Sequence, residues 1–268
     1  MPIAPVPSEQ NQSKYDGSLR NMTIPRVELA TLNNALWCNA VCAAHGVPGE
    51  VQANVWLNRN IPPPYHSNLV VISNHTSQAE IDGHIRELSA LPLSPSWSVK
   101  DSFMSMDLAP QGFGVLFAAS WIWLAPERVL PKPAATTGRC IRVSSPADLA
   151  AWETGWRGDA GNEQASQSSR QFPEALLSDS DIAFLACVSG DRIVAGGAVN
   201  RTPGAIGLSN IFVSADDIGS AWAGLTCCAR GLFPGLPIVG YEKDADLLTA
   251  RELGFESLGK LRVWIRQP

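Results

Sequence analysis

Histidine and cysteine, the residues from which many catalytic and metal sites are built, are scarce: four and six among 268 residues. The histidines His45, His66, His75 and His84 all lie in the first half, at spacings of 21, 9 and 9. Those spacings match no compact metal motif, so no metal is expected. Of the cysteines, Cys38, Cys42, Cys140, Cys187, Cys227 and Cys228, none forms a CxxC pair. Cys187 sits inside an apolar run, and Cys227 and Cys228 have no histidine near them in sequence to act as a base. Buried free thiols in a reducing compartment are the expectation. The phosphate-binding patterns GxGxxG and GxxxxGK[ST] are missing as well.

Other absences bear on location and partners. No uninterrupted apolar run approaches the length needed to span a bilayer. The first nine residues have neither the basic patch nor the apolar core of a signal peptide. A cytoplasmic protein without membrane contact is expected. The formal net charge of -5 argues against broad nucleic-acid contact, which needs an excess of lysine and arginine.

With 45% hydrophobic residues, the chain is long enough for one large domain or two small ones. Residues 1–25 are proline-rich and polar and read as a loose arm. Apolar spacing predicts helices over 29–45 and 76–88, with strands over 50–57 and 68–73. The run Phe113-Gly-Val-Leu-Phe-Ala-Ala-Ser-Trp-Ile-Trp-Leu124 is rich in aromatic and branched residues and reads as a buried strand or strand pair. Pro126, Pro131, Pro133 and the small residues that follow make the best linker. The expected division is therefore 1–25, 26–133 and 139–268.

The second half restarts with a strand over 140–143. Ser145 and Pro146 open a helix carrying Leu149 and Trp152. Residues 158–171 are polar and loop-like. Strands over 182–188 and 193–200 flank the turn Ser189-Gly190-Asp191. A strand over 205–213 then delivers the chain to a glycine-containing helix start at Ile218. The free backbone N–H groups of such a first turn can receive an anion. A short strand over 237–241, a helix over 244–253 and a strand over 255–265 bent at Gly259 complete the chain. This is a mixed α/β pattern with a central hairpin, unlike the repeated βα crossovers of a dinucleotide-binding unit.

Over residues 139–264 the sequence resembles the GCN5-related N-acyltransferase (GNAT) family. That family follows a bulged strand with an (Arg/Gln)-x-x-Gly-x-(Gly/Ala) loop, whose amides hold the coenzyme A pyrophosphate. Here the loop reads Asp216-Asp217-Ile218-Gly219-Ser220-Ala221. Gly219 and Ala221 fit, while Asp216 replaces the arginine or glutamine. Leu253-Gly254-Phe255 is similar to the family's closing Leu-Gly-Phe. The tyrosine that often precedes it falls at Ala250, and the asparagine near the start of that helix at Lys243. The first half looks like a diverged or partial copy of the same architecture, without a pyrophosphate loop.

The resemblance implies a GNAT fold, in tandem, and transfer of an acyl group from acetyl-CoA or another acyl-CoA to a primary amine. Ile211, Phe212 and Val213 would offer backbone groups to pantetheine, and Asp216, Gly219, Ser220 and Ala221 would lie beneath the diphosphate. Asp216 repels that anion unless its carboxylate caps the helix instead. Glu242 would accept the amine proton, Tyr241 would donate to the leaving sulfur, and Asn210 would face the ligand. Each of these three also reads as an ordinary structural residue. Lys100, Asp101 and Ser102 can line a cleft between the halves, with no assigned chemistry. A small-molecule amine is the expected acceptor and the protein a monomer or homodimer. Two alternatives stay open: an aminoacyl or peptide-type transferase, and a catalytically retired module that senses ligands or binds proteins.

Overall fold

The computed structural model describes residues 24–133, 138–158, 170–214 and 216–267. The expected arm and most of the polar loop over 158–171 lie outside these residues. The first half runs α1 (Arg26–Ala44), β1 (Glu50–Val51), β2 (Val55–Leu57), β3 (Leu69–Val71), α2 (Gln78–Ser89), β4 (Ser98–Asp101) and β5 (Phe113–Leu124). The second runs β6 (Arg139–Val143), α3 (Pro146–Arg157), β7 (Ile182–Ser189), β8 (Arg192–Thr202), β9 (Ala205–Val213), α4 (Ile218–Leu232), β10 (Ile238–Glu242), α5 (Asp244–Glu252) and β11 (Glu256–Arg266). The expected strand over 50–57 is two short antiparallel strands instead.

Among the described residues all eleven strands form one sheet, ordered β1-β2-β3-β4-β11-β5-β10-β9-β8-β7-β6. The halves exchange strands at its centre. β11, from the end of the chain, lies between β4 and β5 of the first half. Reciprocally, β5 lies between β10 and β11 of the second. Each half also contains one parallel pair: β3 with β4 through α2, and β9 with β10 through α4. The β5–β11 pairing runs from Glu256 opposite Trp123 to Arg266 opposite Phe113. Its register shifts at Leu258, beside the glycine where the sequence predicts a bend.

Alternation along the strands separates two layers of core. On β7, Ala183, Leu185 and Cys187 pack with Trp222 and Leu225 of α4. Ile182, Phe184 and Ala186 face the opposite way, toward Trp37 of α1 and Trp152 of α3. Helix α1 is buried along much of its circumference, with Asn33 and Asn34 inside it as well as Ala35, Val41 and Cys42. The helix therefore has no single apolar stripe, as suits an element packed among strands of both halves. Asn33 ties it to the sheet by donating to the Asn200 carbonyl at 3.2 Å, and the Asn200 side chain returns a bond to the Asn33 carbonyl at 3.1 Å.

Gly207 on β9 makes this close approach possible, because a Cβ there would stand 2.1 Å from Asn33 Oδ1 and 2.2 Å from Asn200 Oδ1. Gly207→Ala should therefore destabilise the fold by about 2–4 kcal/mol, since two mutually bonded amides must both move. Equilibrium urea unfolding measures this, and an unchanged midpoint would contradict it. Cys140 and Cys187, opposite each other on β6 and β7, form a disulfide. This corrects the expectation of six free thiols: strand pairing places the two cysteines face to face, a relation that spacing in sequence does not reveal. Cys38, Cys42, Cys227 and Cys228 are free.

Candidate active site

The site lies where β9 and β10 separate. They pair in parallel only at Ile206 with Ile238 and Gly207 with Val239. Beyond that point β10 stays against β5, with Tyr241 opposite Trp121 and Glu242 opposite Ser120, while β9 stays against β8. A bulge opposite Gly197 bends β9 away, and Asn210 there has a left-handed φ of 54°. Asparagine tolerates that region better than most side chains. Between the separated strands, the edge of β9 that faces β10 has no strand partner past Gly207.

A cavity of about 200 Å³ opens on the α1 and α3 side of this gap. Ser209, Asn210 and Ile211 of β9 and Tyr241 and Glu242 of β10 form one wall. Asn34, Trp37 and Cys38 of α1, Lys100 of β4, Tyr65, His66, Trp156 and Gln171 complete it. Both halves of the chain thus contribute. The Trp37 indole N–H donates to Asn210 Oδ1 at 3.0 Å, fixing the bulge against α1. Gln171 is positioned by buried Glu153, whose carboxylate accepts from the backbone N–H of Gln171 at 2.7 Å and of Phe172 at 3.2 Å. From there Gln171 Nε2 donates to the Pro64 carbonyl at 2.8 Å and reaches His66 Nδ1 at 3.3 Å.

Burial sets the charges in the cavity. It pushes Glu242 up to about 8, helped by the Asp246 carboxylate and opposed by Lys243. Glu242 is therefore mostly protonated at pH 7 and ionises just above, the range in which a general base is most useful. Burial pushes His66 down to about 4, with the positive charge of Lys100 adding to the effect, so its imidazole is neutral. Burial also works against the charge of Lys100, but Tyr241 and Cys38 outweigh it and leave the lysine above its ordinary value. The Tyr241 ring is held by Phe117, stacked at 6.4 Å, and by Trp121 edge-on at 5.5 Å.

On the α4 and α5 side a second cavity of about 260 Å³ is lined by Gly219, Ser220, Ala223, Thr249, Glu252, Leu253, Pro131 and Lys132. The two cavities share no lining residue. At the start of α4 the cap is Asp217, whose Oδ1 accepts from the Ser220 N–H at 2.9 Å. That bond holds Asp217 below the usual carboxylate range. The capping role considered for Asp216 thus belongs to its neighbour, and Asp216 is exposed. Ala221 is buried under the helix with Trp222, and Ala250 is buried in the same core. A tyrosine at position 250 would have to displace side chains of that core to fit.

The structure brings Asn210, Ile211, Tyr241 and Glu242 into one cavity and Gly219 and Ser220 into the other. Phe212 turns into the core beside Trp152 at 5.3 Å, leaving only its backbone for a ligand; Val213 packs on the α4 side. Sequence reasoning missed Lys132, Gln171, His66 and the α1 residues. Lys132 stands between two prolines and reads as linker. The usable signal was the polar pair Asn33-Asn34 inside a mostly apolar helix.

No protein family's sequence profile matches the chain, and no curated protein does. Solved structures do. A GCN5-related N-acetyltransferase from Kribbella flavida aligns with a TM-score of 0.61 at 14% identity, covering 92% of this chain and 97% of that one. A functionally unknown conserved protein from Staphylococcus epidermidis aligns at 0.53 and 13%, covering 81% and 92%. A tandem GNAT protein from the clavulanic acid biosynthesis pathway aligns at 0.50 and 13%, covering 75% and 74%. The fold of this chain is the GNAT fold, in a tandem arrangement.

Proposed function

We propose that the protein is an acyl-CoA-dependent N-acyltransferase that acylates a primary amine by direct attack in a ternary complex. The observation that carries this reading is the opening between β9 and β10, with Glu242 at its edge near pKa 8. The pantetheine arm would lie along the free edge of β9 at Ile211 to Val213, and the diphosphate over Gly219, Ser220 and Ala221. Lys132 supplies a positive charge beside those amides that Asp216 does not, although Glu252 opposes it. The amine nitrogen attacks the thioester carbonyl, and Glu242 takes its proton directly or through a water. The tetrahedral intermediate collapses with loss of the thiolate, to which Tyr241 can donate. The acceptor cavity is small and takes part of its wall from Tyr65 and His66 of the first half, which favours a small molecule.

Calorimetric titration with acetyl-CoA, repeated with free coenzyme A, tests the cofactor. Both should bind saturably. Gly219→Asp should weaken them about ten-fold or more, because it places a carboxylate under the diphosphate. The substitution has room, the nearest atom to an added Cβ being Asp217 Oδ1 at 3.8 Å. Asp217→Ser keeps a capping oxygen but removes a negative charge, and should tighten binding by about two- to five-fold. A second reading, a module that has lost catalysis, draws on the carboxylate held at Ser220 N–H and on Ala250 in place of a tyrosine. Folded protein that binds neither ligand would favour it.

A further inference from the structure

Lys100 ends up in the cavity wall as a cation without a counter-ion. It is 6% exposed, and its ammonium donates to Asn34 Oδ1 at 2.6 Å. It stands 4.6 Å above the Tyr241 ring centroid. Among the described residues no carboxylate pairs with it. Its chain neighbour Asp101 is turned away, accepting from the Ser105 and Met106 amides and from Arg262. Glu242 is mostly protonated at neutral pH. Removing an ammonium from water is costly unless its charge is paired. Asn34 Oδ1 and the Tyr241 side chain offset part of that cost, but neither carries a negative charge to pair with the ammonium. An ammonium that keeps its charge in the cavity wall with only neutral groups against it is matched to an anion from outside the chain.

We propose that Lys100 anchors a carboxylate of the acceptor, making the substrate class an amino-carboxylate, such as a free α-amino acid, rather than a plain amine. Tyr241 and Asn34 hold the ammonium in place for it, and the acceptor's amine is then directed toward Glu242. The same chemistry could come from an acyl donor that ends in a carboxylate. Location favours the acceptor, because Lys100 lies on the α1 side of the sheet and the helix start with Gly219 and Ser220 lies on the other. The fate of the amine rests on the acyl-transfer reading; the carboxylate subsite does not.

The experiment is therefore a binding measurement without coenzyme A on the full chain, following the fluorescence of the cavity tryptophans Trp37 and Trp156. The probes are the twenty common amino acids, each bound more tightly than background being compared with its decarboxylated amine. The expected result is at least one amino acid that binds about ten-fold or more tightly than its amine. Lys100→Met should erase that difference, with thermal unfolding showing that the variant is folded. No amino acid binding, or equal binding of acid and amine by the unaltered protein, overturns the proposal without need of a variant. In a separate arm, acetyl-CoA is compared with succinyl-CoA. A preference for succinyl-CoA that Lys100→Met removes, with amino acids bound no better than amines, would assign the carboxylate to the donor and also overturn it. Failure of acyl transfer itself would show only in assays containing acetyl-CoA, so the two readings fail separately.

Discussion

Glu242→Gln should lower kcat/KM for acyl transfer by about 10²–10⁴-fold, the usual contribution of a positioned general base. The isosteric amide keeps the shape of the cavity and loses only the ability to take the proton. In the unaltered enzyme kcat/KM should rise with pH and level off above about 8, where burial and Asp246 place the carboxyl. The variant should lose that limb. Folding should report the same group with the opposite trend. The folded state holds a proton on Glu242 up to about 8, whereas the unfolded chain releases it near 4.5. The stabilisation is fully present below 4.5 and is lost as pH rises through 8. Glu242→Gln should thus be more stable than the parent at pH 9, by on the order of a few kcal/mol. Urea midpoints at pH 5 and pH 9 measure this. A variant with full activity and a shifted pH 9 midpoint would leave Glu242 buried but outside the chemistry.

His66 gives a further check with the reverse sign. Its folded pKa of about 4 lies below the ordinary value of 6.5, so the stability it contributes is present above 6.5 and lost as pH falls through 4. His66→Gln should flatten the acid side of the stability profile in the same urea series. An unchanged acid limb would mean that another group governs it.

Much of the second half was legible because its signals are local. Ser145 and Pro146 do open α3, with Ser145 accepting from the Asp148 N–H at 3.1 Å. Strand β9 and helix α4 form where the apolar pattern and the glycine place them, and α5 ends and β11 begins on either side of Leu253-Gly254-Phe255. The site was legible along β9, β10 and the start of α4, where chemistry-bearing residues are adjacent in sequence, and Lys100 lines the cleft as expected, while Asp101 and Ser102 do not. Lys100, Gln171 and Trp37 reach the same cavity from three distant segments, and their convergence depends on tertiary packing. Disulfide pairing of Cys140 with Cys187 is non-local in the same way, across 47 positions of chain. Least legible was the exchange of β5 and β11. A strand at 113–124 is written in its aromatic and branched residues, but its neighbours are not, and Val115 and Leu116 are exposed where a buried strand was expected.

That exchange predicts the largest effect on folding. Cutting the backbone between residues 133 and 138 and preparing the halves separately should leave neither with a cooperative unfolding transition. In the second half alone, β11 loses both of its neighbours, β4 and β5, and β10 loses its partner on one side. Trp37 and Val41 of α1 also leave the core around Trp152 and Phe184. In the first half alone, β4 and β5 have no strand between them, and Trp121, buried in the parent, loses Tyr241. The unpaired strand edges and bared aromatics should drive aggregation. Mixing or co-expressing the halves should restore one soluble complex with a single transition, because the pairing surfaces are complementary and need no covalent link. Size-exclusion chromatography with urea unfolding decides the matter. A soluble second half that unfolds cooperatively and binds acetyl-CoA by itself would show that β5 is dispensable, and that the first half serves only to close the acceptor cavity.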